Sequence, residues 1–65
     1  MTLFQPPDDV RQRAWEAAYT MRGEMLPLAD RVQIEVAYRL GPDRLGWQEC
    51  ADMLRLSRLF WGERV

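Results

Sequence analysis

Few residues in this chain of 65 could do chemistry: the single Cys50, the single Ser57, the carboxylates Glu49 and Asp52, and the arginines Arg55, Arg58 and Arg64 near the C-terminus. A serine or cysteine nucleophile needs a neighbouring base to activate it, and the chain contains neither histidine nor lysine. Cys50 falls mid-helix on an apolar face, where a thiol is a small core group. Zinc of the usual kind draws on several cysteine and histidine ligands, and the sequence supplies one cysteine. Glu49 and Asp52, spaced i and i+3, could share a hard cation, but such pairs ordinarily form a solvated helix face. No glycine-rich phosphate loop is present. The expectation is a protein that is not an enzyme, with no catalytic residue, cofactor or metal.

The cations point elsewhere. All nine are arginine. A GC-rich genome produces the same bias with no function behind it, and that is the first explanation; an all-arginine set also suits bidentate contacts to carboxylate or phosphate. Net charge is −1, so no global positive field draws the protein to nucleic acid or to an anionic membrane. The distribution is uneven. Residues 1–54 carry six arginines against nine acids, whereas residues 55–65 carry Arg55, Arg58 and Arg64 against Glu63 alone.

A domain this short buries only about 60% of the surface its unfolded chain exposes, yet 48% of its residues are hydrophobic, with three Trp, four Met and seven aromatic rings in all. Some of that apolar load is expected at the surface, where contiguous patches mark interfaces. One cysteine forms no internal disulfide, and neither a cleavable leader nor a run of about 20 apolar residues is evident. These features suggest a soluble, cytoplasmic protein with no membrane partner.

The elements that would position these residues are helical. Residues 1–7 read as an extended leader, because Pro6 and Pro7 bias their predecessors away from helix; Leu3 and Phe4 are expected to tuck onto the body or onto a neighbour. Residues 8–65 read as one helical domain. A first helix begins near Pro7, Asp8 and Asp9, where proline and acidic side chains suit a helix N-terminus. Its buried stripe is expected at Val10, Ala14, Ala17, Ala18 and Met21, with Trp15 and Tyr19 to one side and Gly23 as the stop. A second helix, from about Leu28 to Leu40, places Leu28, Val32, Val36 and Leu40 on one face and Ile34 with Tyr38 on the opposite flank, so it is expected to be buried on two sides. Gly41, Pro42 and Asp43 read as a turn. No strand-like alternation persists, so the fold class is all-α, a small bundle of three to four short helices.

The last third, LGWQECADMLRLSRLFWGERV from Leu45 to Val65, can form two helices or one. With two, Gly46 sits at the N-cap and Glu49 reaches back to free backbone N–H groups. Arg55 and Leu56 then turn, and Ser57 caps a fourth helix. With one, Trp47, Cys50, Ala51, Leu54, Arg58 and Trp61 make a continuous face, and Met53, Leu56, Leu59 and Phe60 a second. Gly46 and Ser57 at cap positions favour the broken form.

In that form LPLADRVQIEVAYRL, GPDRLGWQECADML and RLSRLFWGERV resemble the helix-turn-helix of region four of bacterial sigma factors and related output domains, over Leu26 to Val65. The resemblance implies a helix crossing at Ala51, core positions at Cys50, Leu54, Leu56, Trp61 and Val65, and a recognition helix at Ser57–Arg64. Two departures bear on function. Arg55 stands where the family's turn usually holds a glycine at positive φ, and Leu59 and Phe60 stand where polar residues would face the bases.

Two functions are therefore expected. The first is a small regulatory or inhibitory protein, of phage or bacterial type, that binds a larger protein or complex through its apolar and arginine-bearing C-terminal helix, with possible dimerisation. Its partner-binding residues would be Arg55, Arg58, Leu59, Phe60, Trp61 and Arg64, since Trp and Arg are common interface anchors. The alternative is a DNA-binding transcription regulator with the same arginines on phosphates or guanines. Three clustered cations give that reading a weak electrostatic basis.

Overall fold

The computed structural model describes residues 5–62. Three helices account for most of them: α1 (Asp8–Met21), α2 (Leu28–Leu40) and α3 (Trp47–Gly62). No strand occurs among the described residues, and the protein is an all-α small bundle. Leu3, Phe4, Glu63, Arg64 and Val65 lie outside the described residues.

Local sequence explains where each helix starts and stops. Pro7 and Pro27 precede α1 and α2, and their carbonyls accept the first helical bonds from Arg11 and Arg31, both at 3.0 Å. After α1 the chain reverses through a tight turn in which Glu24 N–H donates to the Met21 carbonyl at 3.2 Å. Gly23 takes the position of that turn that needs positive φ (86°), which a side chain would strain. Gly41, at φ 81°, ends α2 while its N–H donates to Ala37 O. At the start of α3 the Gly46 carbonyl accepts from Cys50 N–H, and the Gly46 N–H donates to Glu49 Oε1 at 3.0 Å. This is the capping expected of Gly46 and Glu49. Leu45 and Cys50 stand at the two positions of a hydrophobic staple around it, and both are buried.

Ala14, Ala17, Ala18 and Met21 of α1, Ile34 and Ala37 of α2, Leu45, and Cys50, Met53 and Leu56 of α3 form one core. The α1 stripe is the expected one, with Val10 partly buried at its edge. Its alanines let a neighbouring helix come close, and α1 packs most extensively against α3. The contact between α2 and α3 is the slightest of the three. Arg11 ties the start of α1 to the α2–α3 connection: its guanidinium donates to Asp43 O at 3.0 Å and to Gln5 Oε1 at 3.3 Å, and pairs with Asp8.

Two expectations need correction. The chain does not turn at residues 55–57; α3 runs unbroken from Trp47 to Gly62. No non-glycine residue among those described has positive φ, so Arg55 is spared the strained geometry that the turn would have required. The interior of this stretch also lacks glycine and proline while Leu54, Arg55, Leu56 and Leu59 all favour helix. A lone Ser57 is too weak a signal to break it.

The second correction concerns α2. Burial on two sides was expected, but only the flank of Ile34, itself 1% exposed, is buried, while Leu28, Val32 and Val36 of the other point to solvent. Tyr38 explains the choice. It lies 5.6 Å ring to ring from Trp15 and 6.1 Å from Tyr19, and its backbone carbonyl accepts the Trp15 indole N–H at 3.0 Å. Aromatic groups bury more area than valines and satisfy their polar ends in the same contact, so the aromatic flank fixes the rotation of α2.

Candidate partner-binding surface

Because α3 is one helix, consecutive residues point about 100° apart, and Leu59, Phe60 and Trp61 cannot share a face. Phe60 is partly buried against the core. Together with Leu59 it lines a groove completed by Leu26, Pro27, Asp30 and Leu56. Trp61 stands edge-on to Phe60, ring centroids 4.8 Å apart, and is 43% exposed on the other flank of α3. Leu59 is exposed on the flank nearer α2. Arg58 is exposed. Arg55 is exposed and paired, one turn back, with Asp52 at 3.3 Å; Gln48 donates to the same carboxylate oxygen. Arg64 falls outside the described residues.

A different set of α3 residues comes together instead. Trp47, Ala51, Leu54, Arg58 and Trp61 are spaced 4, 3, 4 and 3 residues apart, the repeat that keeps one seam of a helix facing a partner helix. Leu54 is half-buried at the edge of the core, while Ala51 and Arg58 are exposed and Trp47 is 56% exposed. A small residue sits mid-seam, with indoles at both ends. Five of the six members of the continuous face expected for an unbroken helix lie on this seam; the sixth, Cys50, turns into the core. Trp47 was legible as part of that face but was not among the expected partner-binding residues. Its position seven residues before Leu54 and fourteen before Trp61 is the signal that marks it.

Several other charged groups are committed within the fold. On the seam between α1 and α2, Arg22 lies 3.9 Å above the Tyr38 ring and donates to Glu35 at 3.1 Å, and Arg39 donates to the same carboxylate at 2.7 Å. The hydrogen bond from Arg39, then that from Arg22, holds the Glu35 carboxyl below its ordinary range. The Glu35 bond raises Arg22 in turn. The cleft beside them is lined by Met21, Arg22, Gly23, Arg31, Ile34 and Glu35; Arg31 already donates to Leu26 O at 3.0 Å. Burial pushes the Cys50 thiol up, Glu49 adding to the effect and Arg11 opposing it, which disfavours the reactive thiolate.

Among the described residues no group of three or more Cys, Asp or Glu side chains is placed to hold a metal ion, and no helix is long and apolar enough to cross a membrane. Comparison with protein-family models, with curated proteins and with solved structures finds no match.

Proposed function

We propose that this chain is a small regulatory or inhibitory protein without enzymatic activity, and that it acts by binding a larger protein through α3. The observation that carries the proposal is the seam of Trp47, Ala51, Leu54, Arg58 and Trp61, with its 4-3-4-3 spacing and an indole about half exposed at either end. Large aromatic groups are costly to hydrate, and with arginine they are the commonest anchors of protein interfaces. A partner offering an amphipathic helix with an apolar seam and an acidic edge would cover both Trp rings and pair with Arg58. Arg55 borders this contact on the outer side, whereas Leu59 and Phe60 line the groove beside α2.

The DNA-binding alternative has less support. Its recognition helix would begin at Ser57, which lies inside α3, and Arg55 is already paired with Asp52.

The test is affinity capture of tagged protein from extracts of the producing cells, beside Trp61→Asp and Arg58→Glu, with fluorescence anisotropy against duplex DNA at low salt. Both substitutions fall on exposed positions, so folding is expected to survive, as circular dichroism would verify. Loss of a captured protein in both variants supports the proposal. Capture that is unchanged, or tight DNA binding that both variants weaken, would count against it.

A further inference from the structure

We infer that the outer face of α2 joins two copies of this chain in a parallel, two-fold symmetric dimer. This surface is separate from the α3 seam. Leu28, Val32 and Val36 lie in one row at i, i+4 and i+8, respectively 68%, 54% and 50% exposed, with Met25 just before the helix and the small Ala29 beside the row.

The two edges of the row carry opposite charge. On the α1 side stand Arg22, Arg31 and Arg39, with Glu35 accepting from Arg22 and Arg39. On the α3 side the groove running beside Val32 and Val36 is walled by Glu49 and Asp52, and a second groove, beside Leu59, by Asp30; Arg55 is paired with Asp52.

That asymmetry selects the occupant. A two-fold axis running along the helices places the basic edge of one copy against the acidic edge of the other on both sides of an apolar row, so the surface complements itself. A two-fold axis across the helices would instead set basic edge on basic edge and acidic on acidic, which is repulsive. Each guanidinium has five N–H donors, so Arg31 and Arg39 keep donors for a neighbour's carboxylate. A stable interface needs about 800 Å² from each copy. The row from Leu28 to Val36 spans only about 12 Å, so the outer edge of α3 around Glu49, Asp52 and Leu59 has to join the contact.

Light scattering on the purified protein tests this, across a concentration series reaching about 100 μM, well above the micromolar Kd of a modest interface. The expected mass is twice the 7.7 kDa of one chain. Val32→Glu should be folded and monomeric. Arg39→Glu and Asp52→Arg should each weaken association by about tenfold, and the two combined should recover most of it, because the rim pair is only exchanged. In a Cys50→Ser background, Val36→Cys should cross-link to its own copy under mild oxidation, as a parallel pairing brings the two positions within disulfide reach. A mass of one chain at every concentration, or cross-linking of Leu28→Cys to Val36→Cys in preference to Val36→Cys with itself, would overturn the inference. Trp61→Asp, on the α3 seam, should leave the dimer intact, so failure of the dimer and failure of partner binding through α3 give different results.

Discussion

Ser57 separates a continuous α3 from a broken one by the sign of a free-energy change. If Ser57 capped a fourth helix, replacing it with alanine would cost about 1 kcal/mol, within the range of 0.5–2 for lost N-caps. Inside α3, five residues before Gly62, the hydroxyl caps nothing at a helix start. Alanine is the better helix former there, so Ser57→Ala should be neutral or stabilising by up to about 0.5 kcal/mol. Proline sharpens the contrast. At the start of a new helix it is tolerated; within α3 it removes a hydrogen bond to residue 53 and clashes with that residue's carbonyl, at a cost of about 3 kcal/mol or more. A chain of this length is expected to hold only about 3–10 kcal/mol in total, so Ser57→Pro should at least release the segment after Leu56 and the packing of Phe60. Urea denaturation followed by circular dichroism at 222 nm measures both variants. A Ser57→Ala loss near 1 kcal/mol together with a well-folded Ser57→Pro would refute the continuous helix.

Other predictions follow from burial and charge. Ile34→Ala should cost about 2–5 kcal/mol, since it empties a fully buried site, whereas Val32→Ala should cost under about 0.5 kcal/mol, as for other exposed positions; denaturation at low micromolar protein, where association contributes least, compares them, and equal losses would mean that α2 is rotated. Glu35 is held below its ordinary range by Arg39 and Arg22, so its contribution is present above the unfolded carboxylate pKa and lost as pH falls through the folded value. The melting temperature of Glu35→Gln should therefore fall less steeply with acidification than that of the wild type, and parallel slopes would contradict the pairing. Cys50 should react with a thiol reagent near neutral pH only as fast as the protein opens, because it is buried and its thiolate is disfavoured; labelling of native protein at the rate of a free thiol would show the core to be loose.

The sequence made the α1 stripe legible because alanine and methionine at helical spacing leave one apolar face and little choice. The starts of α1 and α3 were equally plain: Pro7 with Asp8 and Asp9, and Gly46 with Glu49, are local signals that tertiary packing has no reason to override. The rotation of α2 was not legible. Leu28, Val32 and Val36 lie on one apolar flank and Ile34 with Tyr38 on the other, and only the meeting of Tyr38 with Trp15 and Tyr19 across two helices decides which of them is buried. At residues 55–57 the local signal misleads in the opposite way: a single serine at a cap-like position is outweighed by a run of strong helix formers and an arginine unsuited to positive φ. The expected partner-binding residues are mostly neighbours in sequence, whereas a helix groups residues three and four apart. Trp61 and Arg58 thus belong with Trp47, while Leu59 and Phe60 turn toward α2.

Partner binding through the α3 seam is tested most directly by placing a photo-cross-linking amino acid at Arg58, one turn before Trp61 on the seam, and at Gln12 on the exposed side of α1. Irradiated in extracts of the producing cells, the protein labelled at position 58 should yield a discrete cross-linked protein that the position 12 variant lacks. Cross-links from position 12 alone, or none from either, would contradict partner binding through α3.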